Sequence, residues 1–148
     1  MIRTQLLLDD GSVSTAGEEL IDIWRRSEGS FIRLDFEGEF TEQLADLLAQ
    51  FGCSEPAIRT TTRRLHPPKL EVFEENTFVL FRGIACLDDE LNLHPQQLAM
   101  FIGHNFLLTL HRGISLSINH FWERGCKSGL IRKPGKLSLH ILEFASAR

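Results

Sequence analysis

The chain has 148 residues, 43% of them hydrophobic and 24% charged, with a formal net charge of −4. That length suits one domain with a core large enough to fold without disulfides or a structural metal. A mildly acidic chain is not a bulk nucleic-acid binder.

Residues 2–8 end in the run Leu6 to Leu8, followed by Asp9-Asp10-Gly11-Ser12, which predicts a strand and then a turn. In residues 17–26, Leu20, Ile23 and Trp24 recur at helical spacing and Arg25-Arg26 close the segment. A helix with a basic C-terminus is expected. Residues 31–37 alternate. Ile32, Leu34 and Phe36 fall on one face and Arg33, Asp35 and Glu37 on the other, the pattern of a half-buried strand. Phe40, Leu44, Leu47, Leu48 and Phe51 then form an amphipathic helical stripe, with Thr41 as N-cap and Gly52 just past the end.

A second helix is expected over 54–66, starting at Ser54 with Pro56 in its first turn and stopped by Pro67-Pro68. Leu70 to Phe73 and Thr77 onward toward Leu87 read as a hairpin around Glu74-Glu75-Asn76, with Asp88-Asp89-Glu90 as an exposed bend. Leu98–Ile102 and Phe106–Leu110 form two more strands. The Gly103-His104-Asn105 turn between them is expected to supply a position of positive φ. Ile114, Ile118, Phe121 and Trp122 share a helical face. Gly125 to Lys136 reads as a basic connector, and Leu137, Ile141 and Phe144 open a last helix that runs on to Arg148.

Charge is unevenly spread. Residues 35–46 hold Asp35, Glu37, Glu39, Glu42 and Asp46 and no base. Arg59, Arg63, Arg64 and Lys69 lie together, as do Arg124, Lys127, Arg132, Lys133 and Lys136. Solvated surface explains these runs; so would complementary faces in an oligomer or a basic patch near anionic lipid.

Little in the chain points to catalysis. Cys53, Cys86 and Cys126 are widely spaced with no C-x-x-C, which fits unpaired thiols in a reducing compartment; Cys86 reads as core. His66, His94, His104, His111, His120 and His140 lack metalloprotease spacing. His111 reads as a packed or capping side chain at a strand end. Asp9-Asp10 and Asp88-Asp89-Glu90 are turn acids that would hold Mg²⁺ or another divalent cation only weakly. No cofactor is expected and no enzyme activity. No window is a signal peptide or a membrane span, so the sequence as given is that of a soluble chain.

The order of features from Gly52 onward is distinctive. Pro67-Pro68-Lys69-Leu70-Glu71-Val72-Phe73-Glu74 leads into the hairpin. Gln97 to Ile102, the turn at Asn105, and Phe106-Leu107-Leu108-Thr109-Leu110-His111-Arg112 follow. With Phe31 to Asp35 and Leu44 to Gly52 upstream, this set resembles the N-terminal domain of the CorA family of Mg²⁺/Co²⁺ transporters, which includes the ZntB zinc transporters. Pro68, Lys69, Glu71 and Asn105 match the family motif.

The resemblance implies an α/β fold, a mixed β-sheet sandwiched between helices (α/β/α), over residues 1–148. It also implies a homopentamer at the cytoplasmic face of the cell membrane, built through a stalk and two membrane helices that this sequence lacks. By itself the domain would be monomeric or weakly oligomeric. The implied role is regulatory, coupling metal state and assembly to a pore. A ZntB-like domain and a stand-alone binding module on the same fold are the alternatives. In Mg²⁺-gated members a Glu-Asp pair lies on the helix before an Arg-Pro-Lys motif. Here the matching positions are Arg59 and Thr60, the motif's Arg is Pro67, and an acid of the final helix is matched only nearby, by Glu143. The standard regulatory metal site is therefore not expected.

Overall fold

The computed structural model describes residues 1–63, 66–86, 93–127 and 133–146. Their elements are β1 (Ile2–Leu7), β2 (Val13–Ala16), α1 (Glu19–Arg26), β3 (Phe31–Glu37), α2 (Glu42–Gln50), α3 (Glu55–Thr62), β4 (Lys69–Val72), β5 (Asn76–Cys86), β6 (Leu93–Gly103), β7 (Phe106–His111), α4 (Leu116–Lys127) and α5 (Pro134–Ser146). The strands form one sheet in the order β2-β1-β3-β7-β6-β5-β4. Two antiparallel groups, β2-β1-β3 and β7-β6-β5-β4, meet at one parallel pair, β3 with β7, in which Asp35 stands beside Thr109.

Helices cover both faces, as the expected α/β/α fold requires. On one face Leu6, Ile32, Leu34, Phe78, Phe101 and Leu108 pack against Leu20, Leu44, Leu48, Ala57 and Ile58 from α1, α2 and α3. On the other, Leu7, Phe31, Leu98, Met100 and Leu107 pack against Ile118 of α4 and Leu137 and Ile141 of α5. Trp24 stacks on Phe51, with ring centroids 4.9 Å apart, and Phe106 meets both rings edge-on.

Local signals in the α1–α3 region fall where the sequence puts them. Thr41 Oγ1 accepts from the Leu44 amide at 3.1 Å, and Ser54 Oγ from the Ala57 amide at 3.3 Å. Each satisfies a donor that the helix itself leaves free. Gly52 ends α2 at φ +81°.

Other expectations need correction. Strand β2 is not foreseen: its four residues have no buried side and lie on the sheet's edge. On α1 Ile21 is buried beside the expected Leu20, whereas Ile23 is exposed. Helix α3 stops at Thr62 rather than 66. Ile114 precedes α4 and is exposed, and α4 continues past Gly125 to Lys127. Gly103 does not adopt positive φ. A Cβ there would lie 2.3 Å from the Phe106 ring, so close approach of that ring is what requires glycine. The expected Asp88-Asp89-Glu90 bend, Arg64, the middle of the 125–136 connector and Arg148 lie outside the described residues, as do the side chains of Cys86 and Cys126.

The largest correction concerns β3. It is not half-buried: Phe31 to Phe36 are all buried, and Arg33 and Asp35 are 0% and 1% exposed. Their face of the sheet is roofed by α4. A charged residue survives there only with partners.

Candidate functional site

Those partners come from β1, β7 and α4. Arg3 on β1 lies opposite Asp35 on β3, and its Nε donates to Asp35 Oδ2 at 3.0 Å. On the other side of the strand, Thr109 Oγ1 donates to Asp35 Oδ1 at 2.6 Å. His111 Nε2 lies 2.8 Å from the same oxygen. Its Nδ1 lies 2.6 Å from the carbonyl oxygen of Gly113, in the turn that leads into α4. The His111 side chain is wholly buried. Glu37 stands 4.0 Å from Nδ1.

The cluster also holds α4. Arg3 Nη2 donates to Asn119 Oδ1 at 2.6 Å, Gln5 Nε2 to the Trp122 carbonyl at 2.7 Å, and Arg33 Nη1 to the Phe121 carbonyl at 2.6 Å. The guanidinium carbons of Arg3 and Arg33 lie 4.3 and 4.7 Å from the centroid of the Trp122 ring, within cation–π range. Helix α4 is thus docked on the sheet as much by charge and hydrogen bonds as by Ile118.

Burial by itself would push the Asp35 carboxyl up. The hydrogen bond and charge of His111, the Thr109 hydroxyl and the charge of Arg3 together hold it below the ordinary value. Burial would likewise pull the His111 imidazole down, and the hydrogen bond and charge of Asp35 outweigh it, so His111 binds its proton more tightly than usual. Elsewhere, burial drives the Cys53 thiol up to about 12, with Glu75 adding to the effect, so that thiol is inert.

Apart from His111, the residues singled out in the sequence do not converge on this cluster. Arg59 is exposed on α3 and pairs with Glu55 at 3.6 Å. Thr60 is buried, with its hydroxyl donating to the Pro56 carbonyl at 2.9 Å. Lys69 and Glu71 pair with each other on the edge strand β4. The backbone carbonyl of Asn105 receives the Trp24 indole N–H at 3.2 Å and the Ile32 amide at 3.1 Å, tying α1 and β3 to the β6–β7 turn. Pro68 lies just before β4 and is exposed. Asp88, Asp89 and Glu90 lie outside the described residues, and Glu143 is exposed on α5.

Among the described residues no group of three or more His, Cys, Asp or Glu side chains is placed to hold a metal ion. No described helix is long and apolar enough to cross a membrane. The cavity beside His111, lined by Phe36, Leu44, Thr61 and Arg112, has a volume of about 20 Å³, room for about one water. Of the whole cluster, sequence reasoning singled out His111, and as a packed side chain. The strict alternation of β3 hid Asp35 and Arg33 by marking them as a solvent face.

Known proteins share this architecture. The chain superposes on the full-length CmaX protein with a TM-score of 0.75 at 16% identity, over 96% of this chain and 44% of that one. The complete CorA magnesium transporter from Methanocaldococcus jannaschii gives 0.70 at 19% identity, over 98% and 44%. The ZntB cytoplasmic domain from Vibrio parahaemolyticus gives 0.52 at 9% identity, over 66% and 40%. This chain therefore spans about half the length, or less, of these structures. No curated protein matches it by sequence. A sequence model described as "CorA-like Mg2+ transporter protein" matches residues 28–148, from just before β3 through the end of α5, and the chain belongs to that family.

Proposed function

We propose that the chain is the cytoplasmic regulatory domain of a divalent-cation transporter, relaying metal state and subunit contacts to a membrane pore. The observation that carries this reading is the family match across residues 28–148. The α/β/α frame, close to that of the M. jannaschii magnesium transporter, supports it. In the full assembly, a homopentamer on this reading, the domain lies at the cytoplasmic face of the cell membrane. The transported ion belongs to the class of Mg²⁺, Co²⁺ and Zn²⁺.

Regulation through the family's acidic pair is not part of the proposal. Arg59 puts a cation where a metal ligand would stand, and two positive charges a few ångströms apart repel. This favours a divergent or zinc-transporting member over one gated by Mg²⁺ at that position. Cells lacking the gene should accumulate an altered amount of Mg²⁺, Co²⁺ or Zn²⁺, restored when the gene is returned. Unchanged contents of all three would overturn the proposal.

A further inference from the structure

We propose that His111 is an imidazolium at neutral pH that latches the β7–α4 turn to the centre of the sheet, and that loss of its proton opens the latch. The reason is the count of donors. A neutral imidazole carries one N–H, an imidazolium two. Both ring nitrogens of His111 face oxygen acceptors, the Asp35 carboxylate at 2.8 Å and the Gly113 carbonyl at 2.6 Å. Neither oxygen can donate. Only the doubly protonated ring makes both bonds, and the neutral ring must aim a lone pair at one of them.

Which bond fails follows from charge. Asp35 is buried and ionised, so a neutral ring keeps its proton on Nε2 and gives up Gly113. The Gly113 carbonyl is then left with Gln96 Nε2 at 3.5 Å, a marginal contact. Two residues on, Ser115 opens α4: its hydroxyl accepts from the Ile118 amide and its carbonyl from the Asn119 amide. The same relay reaches α4 a second time, from Asp35 through Arg3 to Asn119. One proton on His111 thus governs a turn whose release frees the start of α4.

The groups around His111 are consistent with a charged ring. From β3 come Asp35 and Glu37, both acidic, and from β1 comes Arg3, on the far oxygen of Asp35. Thr109 of β7 and Asn119 of α4 are neutral. Arg112, next in sequence, turns away to Glu39 and the Thr62 carbonyl. The ring titrates above the ordinary imidazole value, held up by the hydrogen bond and charge of Asp35 against its burial, so it releases its proton at a higher pH than a free imidazole does. The latch is a property of the 148-residue chain and does not rest on the transporter reading.

Nitrogen-15 spectra of the histidine rings in the intact chain, with H111Q to assign His111, test this directly. At neutral pH both nitrogens of His111 should carry protons. As pH rises, the His111 titration should share its midpoint with a shift of the Trp122 indole N–H resonance, distinguished from Trp24 by W122F. H111Q should lack that indole shift. One protonated nitrogen at neutral pH, or a His111 titration that leaves Trp122 unmoved, would overturn the proposal. If H111Q does not fold, the other five histidines are assigned by single Gln variants and the wild-type titration decides alone.

Discussion

Asp35 Oδ1 receives Thr109 Oγ1 at 2.6 Å and faces His111 Nε2 at 2.8 Å, so one buried oxygen joins both polar residues at the end of β7 to β3. This contact sits on the single parallel seam of the sheet. Its loss should be costly. Asp35→Ala leaves the His111 and Arg3 charges without their counter-ion, and breaking a buried pair from one side costs about 3–5 kcal/mol. Urea denaturation of wild type and variant would measure it. A loss below about 1 kcal/mol would show that the cluster is solvated.

Stability should decline at both ends of the pH scale, for opposite reasons. Asp35 titrates below its ordinary value, so its contribution is present above the unfolded carboxylate pKa and is lost as pH falls through the folded one. His111 titrates above its ordinary value, so its contribution is present below the unfolded pKa of about 6.5 and is lost as pH rises through the folded one. Melting temperature against pH should show a plateau between the two. In Asp35→Asn the alkaline decline should move to lower pH.

Millimolar Mg²⁺ should raise the melting temperature no more than a matched increase in ionic strength. Arg59 is exposed and cationic, and the Thr60 hydroxyl is committed to the Pro56 carbonyl. A saturable, Mg²⁺-specific rise would place ligands elsewhere, with Asp88, Asp89 and Glu90 as the first to substitute.

Gly103→Ala should destabilise the chain by about 1–3 kcal/mol, because the new methyl must displace the Phe106 ring from its contacts with Trp24 and Phe51. Thr41→Ala should cost about 1 kcal/mol, the ordinary loss of an N-cap. Chemical denaturation would rank the two.

What could be read in advance was what depends on neighbours in sequence. The stripe from Phe40 to Phe51, the caps Thr41 and Ser54 and the turn at Gly52 are local devices, and they stand where the spacing puts them. Apolar runs broken by turn residues placed the strands from Leu70 to Leu110 in order, and the family resemblance agreed with them. The polar cluster was illegible because its partners are remote. Arg33 and Asp35 satisfy the rule for a solvent-facing strand side, and nothing near them announces the Phe121 carbonyl on α4, 88 residues away, that receives Arg33. Strand β2 was missed because an exposed edge needs no apolar alternation.

The parallel seam also sets an order of assembly. The hairpins β1–β2, β4–β5, β5–β6 and β6–β7 close short loops, whereas Asp35 and Thr109 are 74 residues apart and Arg3 and Asn119 are 116 apart. Loop-closure entropy opposes the distant contacts until nearer ones already hold the ends together. Arg3, Gln5 and Arg33 form a common landing for α4 only after β1 and β3 have joined, and Asp35 meets His111 only after β3 has joined β7. Docking of α4 is thereby a check on completion: a chain that has misplaced either half of the sheet has nowhere to seat this helix.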